Sequence, residues 1–229
     1  MIKTVPLSSA QDSKRLKELL QTNKWIVAAE LIVLCALCFA RLFPFSIQIF
    51  LLAFSSLSLW LRGLSWRDVG LRRSKAWWKV ALMAVLAALL IAIVVNLVTA
   101  PFVQRFVSGS ANNSRFANIR GNFVALLGWL AVAWTLAAFG EEMIFRGYLM
   151  NRLADLVGRT RTGWVISLFG SSLIFGLGHG YQGAAGIINT ATIGLLLGTL
   201  YLVTKRNLWV NIICHGLIDS ISLITLYFS

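Results

Sequence analysis

Acidic side chains are scarce in this sequence. Among 229 residues there are 8 Asp and Glu, 2 His, 3 Cys and 3 Pro. Charged residues of both signs make up only 13% of the chain, about half the roughly 25% of an ordinary soluble domain. Three cysteines build no disulfide framework. Cys35 and Cys38 form a C-x-x-C, but inside an apolar run, where a redox or zinc pair would lack the polar, accessible setting it needs. They read as buried, inert thiols. Low-complexity stretches, internal repeats and a signal peptide are not visible. The first apolar run follows a long polar stretch and has no small-residue cleavage site after it.

What is present is apolar. Hydrophobic residues make up 58% of the chain, more than one soluble core of this size can hide. They come in long runs near 25–40, 45–61, 77–100, 122–140, 163–178, 184–203 and 208–227. Such a chain is neither a soluble enzyme nor a disordered one. It reads as an all-α, polytopic transmembrane helical bundle of about seven or eight membrane helices, because only internally bonded helices satisfy their backbone in lipid. Residues 1–24 form a polar N-terminal segment, within which Gln11 to Gln21 suits a short amphipathic surface helix. Residues 25–229 form a single transmembrane domain, with the core of the candidate site in 120–225.

The net charge of +13 comes from 21 Lys and Arg. These sit in short clusters between apolar runs, the distribution of residues that set membrane topology, and so argue against a nucleic-acid partner. With the N-terminus in the cytoplasm and seven crossings, the inside segments hold 17 basic residues, from Lys3 to Arg206. The outside holds 4: Arg41, Arg105, Arg115 and Arg120. That bias predicts a cytoplasmic N-terminus and an external loop between Arg105 and Arg120.

Carboxylates and imidazoles are expensive at membrane depth, about 2.5–3.5 kcal/mol for Asp on insertion scales. Yet Glu141, Glu142, Asp219 and both histidines, His179 and His215, lie in or beside apolar runs. Glu30 lies near an end of the first run and is expected to reach the interface. Arg146 follows Glu142 by four residues, which places the two on one helix face within reach of a bidentate pair. Glu141 points about 100° away from Glu142, so one carboxylate can be held while the other faces a different environment. Phe175 sits one turn before His179, in a glycine-rich stretch suited to a broken helix at membrane depth. His215 and Asp219 share a face, where Asp219 can orient the imidazole. Together these residues have the parts for activating a water: a glutamate base, a histidine to share the proton and a second histidine for an oxyanion.

The same residues carry a family pattern. Glu141-Glu142-Met143-Ile144-Phe145-Arg146, Phe175-Gly176-Leu177-Gly178-His179 and His215-Gly216-Leu217-Ile218-Asp219 resemble, in order and approximate spacing, the three motifs of the CAAX-protease and bacteriocin-processing family. That family of intramembrane endopeptidases includes the type II CAAX prenyl endopeptidases. The resemblance covers residues 120–225. It implies peptide-bond hydrolysis inside the bundle, with the site open to the cytosolic side and a prenylated or bacteriocin-precursor peptide among the substrates. By the same resemblance Glu141 is the water-activating base with His179 beside it, Glu142 and Arg146 are a supporting pair, and His215 and Asp219 stabilise the tetrahedral intermediate. A Zn²⁺ held by Glu141, His179 and His215 and a metal-free, glutamate-activated water both fit these residues. Two other functions fit the polar cluster: a non-catalytic membrane protein that binds a peptide toxin and confers immunity, and a proton-coupled transporter.

One conflict follows from straight spans. Glu141 would end the fourth run on the inner side and His179 the fifth on the outer, roughly 20 Å or more apart at 1.5 Å per residue. Convergence requires either that a run boundary shift or that a segment re-enter the membrane; the first candidate is 141–157, which can continue the fourth helix and put Glu141 at mid-membrane.

Overall fold

The computed structural model describes residues 9–39, 47–107 and 111–229. Lys3, counted inside, Arg41, counted outside, and positions 108–110 of the external loop lie outside the described residues. Among the described residues eight principal helices follow one another: α1 Ser9–Thr22, α2 Lys24–Phe39, α3 Ile47–Leu61, α4 Trp77–Phe106, α5 Phe123–Val157, α6 Arg161–Gly178, α7 Gly183–Val203 and α8 Leu208–Phe228. Each of the seven apolar runs lies on one of α2 to α8, and no strand occurs among the described residues. The helices α4, α5, α7 and α8 are long and apolar enough to cross a membrane. The α1–α2 pair qualifies only as a span bent by 66°, and α3 is shorter.

The exposed surface explains why lipid is the solvent. On α4, Leu86, Leu90 and Leu97 are more than half exposed, while Val80, Ala84, Ala88 and Ile91 on the opposite face are buried. The buried face thus carries the smaller side chains, which lets helices approach closely where lipid supplies no hydrophobic drive between them. Pro101 lies within α4. It lacks an N–H and its ring crowds the carbonyl one turn back. The preceding residues Val95–Thr99 relax into a π-helical turn, which keeps the span continuous.

The segment 141–157 continues the fourth run, the first of the two routes to convergence. The helix α5 is unbroken over 35 residues, about 52 Å at the usual rise. It turns back into α6 through Gly158, whose φ of +99° suits glycine. Thr160 caps α6 by accepting a hydrogen bond from the Gly163 N–H at 3.1 Å. Glu141 stands 17 residues before Gly158 and His179 stands 18 residues after Arg161. The arms of this hairpin are therefore equal, and both side chains arrive at the same height.

Against α6 packs α7, with glycines at the contact. Gly194 meets Phe175 and Ser172, and Gly198 meets Leu168 and Met150, so the Gly194-x-x-x-Gly198 spacing serves packing inside the chain. The tightest approach is at Gly176, where an added Cβ would come within 2.6 Å of the Ala191 Cβ and 2.8 Å of the Ile187 carbonyl oxygen. Both neighbours are rigid, so Gly176→Ala is expected to destabilise the protein by about 1–3 kcal/mol, the usual cost of overpacking. The loss is measured as a lower unfolding midpoint in detergent; an unchanged midpoint would show that the α6–α7 contact yields.

Glu30, near an end of the first run, is tied into an ion cluster. Its carboxylate bonds Arg62 and lies 2.7 Å from Arg152, and both guanidinium groups are buried. The same two arginines donate to the Leu20 carbonyl of α1, at 3.2 and 3.3 Å. Ser58 and Tyr148 share a hydrogen bond of 2.6 Å beside them. Two desolvated cations need an anion, and Glu30 supplies it across three helices. The cluster ties α1, α2 and α3 to the far arm of α5.

Candidate active site

Glu141, Glu142 and Arg146 sit on a stretch of α5, Ala133–Leu149, whose backbone follows π-helical hydrogen bonding. Such geometry ordinarily appears as single turns, often at functional sites; here it runs through 17 residues. Every residue from Gly140 to Leu149 in it is buried. The small residues that approach the pair, Ala137, Ala138 and Gly140, leave room for neighbouring helices to close on it.

The two glutamates have different fates. Glu142 is fully buried and held from three directions. Arg146 Nη1 donates to its Oε1 at 2.7 Å, Asn211 Nδ2 donates to its Oε2 at 3.1 Å, and His215 Nδ1 donates to Oε1 at 2.8 Å. The Arg146 contact is not bidentate as the spacing alone suggested, because Nη2 turns instead to the Gly194 carbonyl at 3.0 Å. The guanidinium also lies over the Phe175 ring at 4.6 Å, a cation–π contact. Glu142 thereby links α5 to α8 and, through Arg146 and Asn211, to α7.

Glu141 faces the other way. It lines a cavity of about 550 Å³ that also touches Phe175, His179, His215 and Asp219. Only 8% of its surface is exposed, and among the described residues its carboxylate has no hydrogen-bond or ion-pair partner. A carboxylate in a confined space without a partner keeps its lone pairs for whatever enters.

His179 ends α6. Its Nδ1 lies 2.9 Å from the Phe175 carbonyl one turn back. A carbonyl only accepts, so the proton sits on Nδ1 and Nε2 is left for the cavity. The ring packs on Phe175 at 4.8 Å, while His215 meets the same phenyl ring at 6.2 Å. The two imidazole centroids therefore lie at most 11.0 Å apart, the sum of those distances. Asp219 Oδ2 stands 3.6 Å from His215 Nε2, beyond direct hydrogen-bond range. Glu142, not Asp219, orients the His215 ring.

The residues do not form a Zn²⁺ centre as placed. Both ring nitrogens of His215 face carboxylates, which leaves His179 Nε2 as the one imidazole nitrogen open to the cavity. No group of three His, Cys, Asp or Glu among the described residues converges as metal ligands.

Sequence reasoning missed Asn211, which donates both to Glu142 and to the Leu197 carbonyl at 2.7 Å. The signal was there: Asn211, His215 and Asp219 recur every four residues and so share a face of α8. It also missed Tyr181, Asn189 and Thr190 on the cavity wall. Their motif-free positions in the α6–α7 connection and on α7 carry no mark until the helices are assembled.

Residues 123–221 match the family described as type II CAAX prenyl endopeptidase Rce1-like, within the 120–225 region that carries the three motifs. The matched part is 99 of the 229 residues and includes every residue of the polar cluster. No curated protein and no solved structure matches the chain. The match supports an integral membrane protease of CAAX type at the level of the family.

Proposed function

From an Rce1-like domain over residues 123–221, we propose that this protein is an intramembrane endopeptidase that cleaves a peptide bond with a water activated by Glu141. The observation that carries the reading is the division of labour between adjacent carboxylates. Glu142 is saturated by Arg146, Asn211 and His215, whereas Glu141 faces the cavity shared by His179, His215 and Asp219. A saturated carboxylate makes a poor base and a good strut; an unpartnered one is suited to taking a proton.

In this mechanism the water oxygen attacks the scissile carbonyl carbon while Glu141 takes the water's proton. His179, through Nε2, positions that water. His215 acts in its doubly protonated form: Nδ1–H binds Glu142, and Nε2–H points to the developing oxyanion. Asp219, one turn on, holds the charge balance around that ring. Collapse of the tetrahedral intermediate breaks the C–N bond, and the proton on Glu141 passes to the departing amine. The site thus returns to its starting protonation. Arg146 touches none of the reacting atoms; it positions Glu142 and through it His215.

The substrate is a peptide or protein, with prenylated C-termini and bacteriocin precursors as the first candidates. The test is incubation of the purified protein with a peptide library that includes prenylated C-terminal peptides, read by mass spectrometry with and without a chelator. The expected result is a new internal cleavage by the parent, absent in Glu141→Gln and unchanged by the chelator. Equal cleavage by parent and Glu141→Gln would remove Glu141 from the role of base. Loss of cleavage on chelation would replace the metal-free route.

A further inference from the structure

The ends of the bundle differ in charge, and the cavity reaches only one of them. At the first end the loop after α3 meets the α7–α8 turn: the Leu208 N–H donates to the Gly70 carbonyl at 3.1 Å, and the Tyr201 hydroxyl donates to the Val69 carbonyl at 2.6 Å. Helix α1 joins there through Leu20, as does the α5–α6 turn through Arg152. The basic clusters of 62–79, 152–161 and 205–206 all belong to this end. At the second end the 111–122 segment folds over the α6–α7 connection and the last turn of α8. The Asn112 N–H donates to the Gln182 carbonyl and the Gly121 N–H to the Tyr227 carbonyl, each at 3.0 Å. Of the described basic residues, Arg105, Arg115 and Arg120 lie toward this end and Arg146 lies between.

From the level of Glu141 the cavity runs along α5 past Ala137, Ala133 and Trp129, and along α8 past Ser222 to Leu226. Both helices lead toward the second end. At its upper rim are Asn113, Arg115 and Gln182, residues of the two segments that meet there. None of the basic loops of the first end contributes to its lining. Basic loops remain on the cytoplasmic side.

We infer that the catalytic cavity opens to the extracytoplasmic face and takes its peptide from there. This is the opposite of the cytosolic mouth that the family resemblance implies. What enters rests on the endopeptidase reading; where the mouth lies does not. The cavity wall suits a polypeptide: the Asn189 Oδ1 and Gln48 Oε1 are buried there without hydrogen-bond partners among the described residues, and both are acceptors for backbone N–H groups. A segment of an exported or membrane protein that projects on the outer side can reach them. Of the candidate substrates, this favours an exported precursor peptide over a prenylated C-terminus on the cytosolic side, which would have to pass the basic end.

The test uses the full chain expressed in cells, with single cysteines added at Ser222 and Thr225 on the cavity wall and at Arg73 in the basic loop. The parent provides the background from Cys35, Cys38 and Cys214. A membrane-impermeant maleimide is expected to label Ser222→Cys and Thr225→Cys on intact cells, and Arg73→Cys only after the membrane is broken. The reverse pattern, or labelling of neither cavity position in either state, overturns the inference. Peptide cleavage is then compared in right-side-out and inverted membrane vesicles. Cleavage by right-side-out vesicles alone is expected, and cleavage by inverted vesicles alone overturns the inference. If the labels place the mouth outside and neither preparation cleaves, the placement stands and the endopeptidase reading falls.

Discussion

Glu141→Ala is expected to abolish detectable cleavage while the protein unfolds at the temperature of the parent. The carboxylate lines the cavity and has no partner among the described residues, so its removal breaks no contact that holds helices together. What is lost is general-base assistance, which typically contributes about 10²–10⁴-fold. His179→Ala is expected to follow the same pattern, with the Phe175 carbonyl returned to its helix. Asp219→Ala is expected to be intermediate, since at 3.6 Å from the imidazole it adjusts a neighbouring charge and transfers no proton. The measurement is turnover and thermal unfolding on the same purified samples. Near-normal turnover in Glu141→Ala would remove it from the chemistry. The same variant separates the rival functions: a transporter would lose proton coupling, and an immunity protein would keep its peptide binding and never show turnover.

Arg146→Ala should fail in the opposite way, with stability lost together with activity. The substitution strips a fully buried carboxylate of its cation, leaves the Gly194 carbonyl without a donor and empties the space over the Phe175 ring. Breaking a buried pair by removing one partner costs about 3–5 kcal/mol, a large part of the total stability of most folded proteins. His215 would remain beside Glu142, which is why Glu142→Gln with Arg146→Ala is the informative double variant. Removing the stranded charge should restore much of the stability and none of the activity, because the His215 ring would still lack a charged anchor. An Arg146→Ala protein as stable as the parent would show that Asn211 and His215 suffice to hold Glu142.

The helical membrane bundle was legible in the sequence because it depends on one-dimensional quantities. Run length, the scarcity of charge and the placement of basic clusters are all read along the chain, and the seven apolar runs fall on helices α2 to α8. The intramembrane ionisable residues were legible for the same reason: a charged group in an apolar run stands out without any structure. Glu30 shows where this reading stops. Its position near the end of a run named no partner, and its partners are Arg62 and Arg152, 32 and 122 positions away.

By itself, then, the sequence determined that this chain is a helical membrane protein, that its second half gathers carboxylates and imidazoles in three motifs, and which family those motifs resemble. Only the tertiary structure supplied the partners that close on Glu142 and the cavity that Glu141 lines. Spacing pairs Glu142 with Arg146 four residues on, but it names no partner from another helix and no cavity. Both come from α7 and α8, which bring the Gly194 carbonyl, Asn211 and His215 to one side of α5 and leave the other side open. Such contacts join residues 48 to 73 positions apart. No local pattern encodes them, because they exist only once the antiparallel arms of α5 and α6 have set Glu141 and His179 at one height and α7 and α8 have closed around them.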